Sequence, residues 1–132
     1  MAPGASSIVR PRVLVIERDV TLQKRLAVTL AESYSVDLTS SGSLALLLMK
    51  DYRYACILAS YHLPNRHCGS GILQAVRSMP GGRYVPVIAT GTGSPEDICK
   101  SVESEGFAAW LRLSDDPHYV ISTINGIVNS WD

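Results

Sequence analysis

The strongest constraint on this chain is a repeated alternation between short, β-branched apolar runs and segments with a helical apolar period. The runs are Val13-Leu14-Val15-Ile16, Ser35-Val36-Asp37-Leu38, Cys56-Ile57-Leu58-Ala59, Val85-Pro86-Val87-Ile88 and Phe107-Ala108-Ala109-Trp110-Leu111. Three of them are apolar almost throughout, as strands covered on both faces of a parallel sheet are, whereas half-exposed antiparallel strands alternate. The stretches between them have room for crossover helices. Asp19 can cap a helix whose Leu22, Leu26 and Leu30 recur at four-residue spacing. Gly42 to Lys50 is apolar nearly all round and is expected to be a well-covered helix. Ile72, Leu73 and Val76 give an inward face to a third helix over about Gly71 to Ser78, which Pro80-Gly81-Gly82 stops. Ser94-Pro95-Glu96-Asp97 opens a fourth with a cap, a first-turn Pro and an acid. Asp116-Pro117 opens a fifth, along which Val120, Ile121, Ile124, Ile127, Val128 and Trp131 form one stripe.

Parallel strands need right-handed crossovers that cover both sheet faces, so the chain is predicted to be a doubly wound α/β domain with five strands and five helices. Its 132 residues, 46% hydrophobic and 18% charged, suffice for one core and exclude a disordered tail. Residues 1–11 (MAPGASSIVRP) read as a flexible leader and residues 12–132 as the domain. Twelve Lys and Arg balance twelve Asp and Glu, which argues against direct nucleic-acid binding and leaves only a local basic patch open. No apolar run approaches the roughly 18 residues of a membrane span, and Met1 to Val9 lacks a signal-peptide layout, so a cytoplasmic protein with no membrane association is expected. Cys56, Cys68 and Cys99 are odd in number and lack CxxC spacing, so reduced thiols are expected.

Ligands of such sheets bind at the carboxyl ends of the strands, which singles out Glu17, Arg18 and Asp19, then Ser60 to His62, Thr90 to Gly93, and Arg112 to Ser114. Thr90-Gly91-Thr92-Gly93-Ser94-Pro95 has the layout that presents backbone N–H groups to an anion, but it lacks GxGxxG and a Walker Lys and reads as a glycine-loosened loop before a cap. His62, His67 and Cys68 have zinc-ligand chemistry at irregular spacing with no fourth ligand, and a solvated loop is the expected reading. No nucleophile–base pair stands at the strand ends, so no enzyme is expected.

In order and spacing, five pieces resemble the receiver domain of two-component response regulators. Val13 to Asp19 is similar to that family's apolar strand ending in acids, and Ser41-Gly42-Ser43-Leu44-Ala45-Leu46 to its Gly-x-x-Ala-Leu segment. Ser60-Tyr61-His62-Leu63-Pro64 resembles the acceptor-Asp-x-x-Leu-Pro stretch, Val85 to Ile88 the fourth strand, and Glu105 to Leu111 the Gly-Ala-x-x-Tyr-Leu approach to the fifth. The resemblance implies a flavodoxin-like sheet of strand order 2-1-3-4-5 with helices on both faces. It also implies paired acids holding Mg²⁺, an acceptor Asp, a hydroxyl residue and a Lys. Here Ser60 holds the acceptor position, Arg18 replaces one of the acids beside Glu17 and Asp19, and Leu113 holds the Lys position. The hydroxyl position is open between Thr90 and Thr92. A guanidinium and a hydroxyl in place of carboxylates remove charge and ligands, so Mg²⁺ is expected to bind weakly or not at all and no cofactor is implied. Arg18 would occupy the metal's space, pairing with Glu17 or Asp19 and reaching Ser60, or else would point to solvent.

The resemblance therefore implies a degenerate pseudo-receiver: a phosphorylation-independent interaction module for a signalling partner or an attached output domain, with a homodimer left open. Trp110 takes the place of the family's switch aromatic, and Ser101, Glu105, Arg112, Asp115 and His118 are candidates for its docking face. The alternative is a ligand- or anion-sensing domain using Arg18 and the Thr90-to-Ser94 loop.

Overall fold

The computed structural model describes residues 10–61, 69–91, 102, 104–113 and 116–130. The element order is β1 (Arg12–Ile16), α1 (Val20–Leu30), β2 (Ser35–Thr39), α2 (Gly42–Asp51), β3 (Cys56–Ser60), α3 (Gly69–Ser78), β4 (Val87–Gly91), β5 (Ala109–Arg112) and α4 (Pro117–Ser130). All strand pairs are parallel, as the apolar runs predict, in the order β2-β1-β3-β4-β5 that the resemblance implies. The described residues hold four helices, not the expected five. Of the segment predicted to start at Ser94, only Val102, Ser104 and Glu105 are described, and they are helical.

Two-residue alternation along the strands splits the core into two layers. Leu14, Ile16, Ile57, Ala59, Val87 and Ala89 face Ala45 of α2 and Ile72, Leu73 and Val76 of α3. Val13, Val15, Cys56, Leu58, Ile88 and Leu111 face Leu26 and Leu30 of α1 and Val120 and Ile124 of α4. Coverage on both faces is why these strands read as unbroken apolar runs. Cys56 is a core thiol, and burial pushes its pKa up to about 12. Asp19 caps α1, its side chain accepting from the Leu22 N–H at 3.1 Å. Arg10 and Pro11 also bond to the fold: the Arg10 guanidinium donates to the Ala31 carbonyl, and the Pro11 carbonyl accepts from Ser35 N–H.

Three expectations are corrected. The fourth strand starts at Val87, two residues later than predicted, because Pro86 has no N–H to give a ladder, and it runs on through Thr90 and Gly91. The fifth starts at Ala109, since the Phe107 N–H bonds back to the Val102 carbonyl at 3.2 Å instead of to a strand. Helix α2 is not well covered: Leu44 and Leu47 are 52% and 54% exposed. No helix among the described residues is long and apolar enough to cross a membrane.

The amino end of the sheet is tied by one polar cluster. Arg12 pairs with Asp37 at 3.0 Å across β1 and β2, Tyr54 donates to the same carboxylate at 2.7 Å, and the Arg12 guanidinium lies 4.2 Å from the Tyr52 ring centroid. Burial and the Asp37 hydrogen bond hold the Tyr54 phenol above its ordinary pKa. Tyr54→Phe is expected to cost about 1 kcal/mol. Because the folded pKa exceeds the unfolded value of about 10, this stabilisation is complete below pH 10 and is lost as pH rises beyond it. Urea titrations of both proteins at pH 8 and pH 10.5 check this, and equal losses at the two pH values would contradict it.

Candidate functional site

The strand register builds a polar row at the carboxyl edge of the sheet. Ile16 is paired with Ala59 and Thr39, and Ser60 is paired with Thr90. Neighbouring strands lie about 4.8 Å apart. Glu17, Ser60 and Thr90 therefore stand level across three strand ends, with Thr39 of β2 one residue short of that level. They are also the buried polar and charged side chains among the described residues, at 5%, 8%, 1% and 7% exposure. Burying polar groups costs free energy, so their concentration at one edge marks this as the candidate site.

The acids after β1 are committed to the backbone. Glu17 Oε2 accepts from the Asp19 N–H at 2.9 Å, and the Glu17 carbonyl accepts from the Gln23 side-chain amide. Asp19 is engaged as the cap of α1. Arg18 between them is exposed and makes no ion pair among the described residues. Of the two alternatives for Arg18, the structure has exposure to solvent and not pairing with Glu17, Asp19 or Ser60: both carboxylates already serve main-chain donors, and a guanidinium left in water keeps its hydration. Among the described residues no three His, Cys, Asp or Glu side chains converge. The edge offers one buried carboxylate, already accepting a hydrogen bond, and neighbouring hydroxyls. That donor set does not fit Mg²⁺, which asks for near-octahedral oxygen ligands with carboxylate charge among them.

On the far side of the row, Leu113 is 5% exposed and packs into the apolar layer with Leu26, Leu111 and Val120, its N–H bonding the Gly91 carbonyl at 2.8 Å. It brings no cation to the edge. Trp110 lies on the opposite sheet face, half-buried, with the Tyr61 ring edge-on at 6.2 Å and 89°. Tyr61 also meets Phe107 at 6.0 Å and donates to the Glu105 carboxylate at 3.0 Å. The Trp110 indole closes over Gly91, where an added Cβ would sit 2.3 Å from Cη2.

Of the predicted site residues, the structure thus brings Glu17, Ser60 and Thr90 into one row, seats Leu113 in the core and leaves Arg18 and Asp19 exposed. Glu105, Arg112 and His118 are exposed, and the His118 N–H bonds Asp116 Oδ1 at 2.7 Å. Thr92, Ser101 and Asp115, like His62, His67 and Cys68, lie outside the described residues. Two residues inside the singled-out ranges take parts that the sequence reading does not give them. Tyr61 follows Ser60 directly, and strand alternation was the available signal that it turns to the face of Trp110. Gly91 reads as a flexible turn but ends β4 beneath an indole.

No family model and no curated protein matches the chain by sequence. Solved structures match it by fold. The chemotaxis protein CheY4 of Vibrio cholerae is 19% identical, with 90% of this chain and 99% of that one covered at a TM-score of 0.82. A putative response regulator of Chloroflexus aurantiacus is 18% identical over 91% and 98% of the two chains, at 0.83. The receiver domain of a sensor histidine kinase from Pseudomonas aeruginosa, solved with a magnesium ion coordinated in its active-site cleft, is 22% identical over 93% and 98%, at 0.76. The chain has the fold of these CheY-like receiver structures.

Proposed function

We propose that this chain is an atypical receiver domain of two-component signalling in which Ser60 stands in place of the phospho-accepting Asp, and that it acts as a phosphorylation-independent protein–protein interaction module. One observation carries the reading: the buried polar row at the receiver-fold carboxyl edge has a neutral hydroxyl, Ser60, at the end of its central strand. A serine hydroxyl near neutral pH is a poor nucleophile without an adjacent base, and its phosphate ester would lack the acyl-phosphate chemistry the resemblance implies. Thr90 beside it is no base, the Glu17 carboxylate serves Asp19, and Leu113 supplies no charge for a phosphate. The domain performs no catalytic step. A signalling partner or an attached output domain reads the surface around Trp110, where Glu105, Arg112 and His118 are exposed.

A second reading rests on Arg18, an exposed cation beside this edge with no ion pair among the described residues. It makes the edge an anion sensor. Titrating the labelled protein with Mg²⁺ and then beryllofluoride separates the two. The first reading expects no saturable shift at the amides of Arg18, Ser60, Thr90 and Trp110. Saturable shifts gathered at Arg18 and Thr90 would move the assignment to the sensor, and Mg²⁺-dependent shifts reaching Trp110 would end the phosphorylation-independent reading.

A further inference from the structure

A second cluster lies at the amino ends of the strands, the edge opposite to Ser60. Lys50-Asp51-Tyr52-Arg53-Tyr54 leads from α2 toward β3, and Arg83-Tyr84 leads toward β4. Ile57 and Val87 are paired, and Tyr54 and Tyr84 each precede their member of that pair by three residues, so two Arg-Tyr dipeptides approach the sheet on neighbouring segments. A cavity of about 410 Å³ opens here, walled by Met49, Met79, Tyr52 and Tyr54 and charged by Lys50, Arg53 and Asp51. That volume falls in the range of small-molecule sites, about 300–1,000 Å³.

Its rings are held in place before any ligand arrives. Tyr52 and Tyr54 meet edge-on at 6.5 Å and 63°, with Arg12 over the Tyr52 ring and Asp37 on the Tyr54 hydroxyl. Its charges are unbalanced in a chain of zero net charge. Lys50 and Arg53 are exposed and make no ion pair among the described residues, while Asp37 is engaged by Arg12 and Tyr54, leaving Asp51 as the facing acid. The negative carboxyl end of α3 is offset by Arg77, whose guanidinium donates to the Gly82 and Val85 carbonyls.

We propose that this crevice binds a nucleotide. Flat aromatic and polarizable thioether walls suit a base, which stacks on such surfaces irrespective of its identity. Arg53 and Lys50, the cations that line the cavity, suit the phosphates through charge-assisted hydrogen bonds. Asp51 accepts from a ribose hydroxyl or a base amino group. A plain anion has no use for the ring-lined wall, and an apolar ligand has none for the two cations. This site is independent of the reading of Ser60.

The test is a titration of the labelled full chain with ATP, without Mg²⁺, against adenosine and tripolyphosphate. Saturable amide shifts are expected over residues 49–54 and 79–85 with ATP, with Ser60 and Thr90 unmoved. Adenosine and tripolyphosphate should each bind at least about tenfold more weakly. Lys50→Ala/Arg53→Ala, which changes exposed side chains, should weaken ATP by about tenfold or more while the thermal unfolding midpoint stays put. The proposal is overturned by absence of saturation at millimolar ATP, by shifts centred on Ser60, or by either fragment binding as well as ATP. A single-stranded oligonucleotide whose affinity climbs with its length would equally overturn it, since the surface would then track a polymer.

Discussion

Ser60→Asp is expected to lower the folding stability by about 3 kcal/mol at pH 7, with most of the loss returning at pH 4. Ser60 is 8% exposed and stands beside Glu17, itself 5% exposed, in the row at the carboxyl edge. A carboxylate placed there is stripped of water and set near a like charge, and both effects raise its pKa above the unfolded value of about 3.9. The folded state then holds a proton that the unfolded state releases, so stability falls as pH rises from about 4 through the raised folded pKa. A shift of about two units corresponds to roughly 3 kcal/mol once both forms have titrated. Urea denaturation of variant and parent, differenced at each pH, reads the effect. A variant as stable as the parent at pH 7 would show that the position is not desolvated. Recovery of stability in millimolar Mg²⁺ would show that the donor set is nearer to a metal site than its composition suggests.

The parts of this fold that the sequence made legible are those where one local force decides. Asp19 is followed by leucines at helical spacing, and no other element among the described residues competes for its carboxylate, so the predicted cap forms. Cys56 to Ala59 is apolar without interruption because α1 and α4 cover one face and α2 and α3 the other, and periodicity registers such coverage directly. What stayed hidden depends on neighbours that sequence spacing does not name. Leu44 and Leu47 look like core residues, but α2 flanks the edge strand β2, beyond which no strand lies among the described residues, and Leu38 on that edge is 40% exposed as well. Sequence proximity leaves Arg18 open between an ion pair and solvent, and what decides is that the two carboxylates beside it have main-chain donors closer to hand. Ser60 and Thr90 were individually visible as strand-end residues, but their pairing across β3 and β4 follows from register, which a single chain does not display.

Gly91→Ala is expected to expel the Trp110 indole from its seat and to cost about 2–3 kcal/mol. The added Cβ would lie 2.3 Å from Cη2, 3.0 Å from Cζ2 and 3.2 Å from Cζ3, so the whole six-membered edge of the indole is in the way and a small rotation of one atom does not relieve it. Gly91 is the last residue of β4 and its carbonyl accepts the Leu113 N–H, so its backbone is held in the sheet and the indole is the part that yields. Leaving breaks the edge-on contact with Tyr61 and exposes ring surface. One term opposes the loss: the Trp110 indole N–H is buried and has no acceptor among the described residues, so the outward rotamer gains a hydrogen bond to water. That gain keeps the cost nearer 2 than 4 kcal/mol and provides the readout. In the parent the indole proton should exchange slowly with solvent, and in Gly91→Ala it should exchange fast while the backbone amides of β1 and β3 remain protected. Shortening the ring in Gly91→Ala/Trp110→Leu should recover part of the stability, a coupling that two independent lesions would not show. If the indole proton stays protected in Gly91→Ala, the strand has moved instead of the ring, and the surface around Trp110 is not held in one shape by this contact.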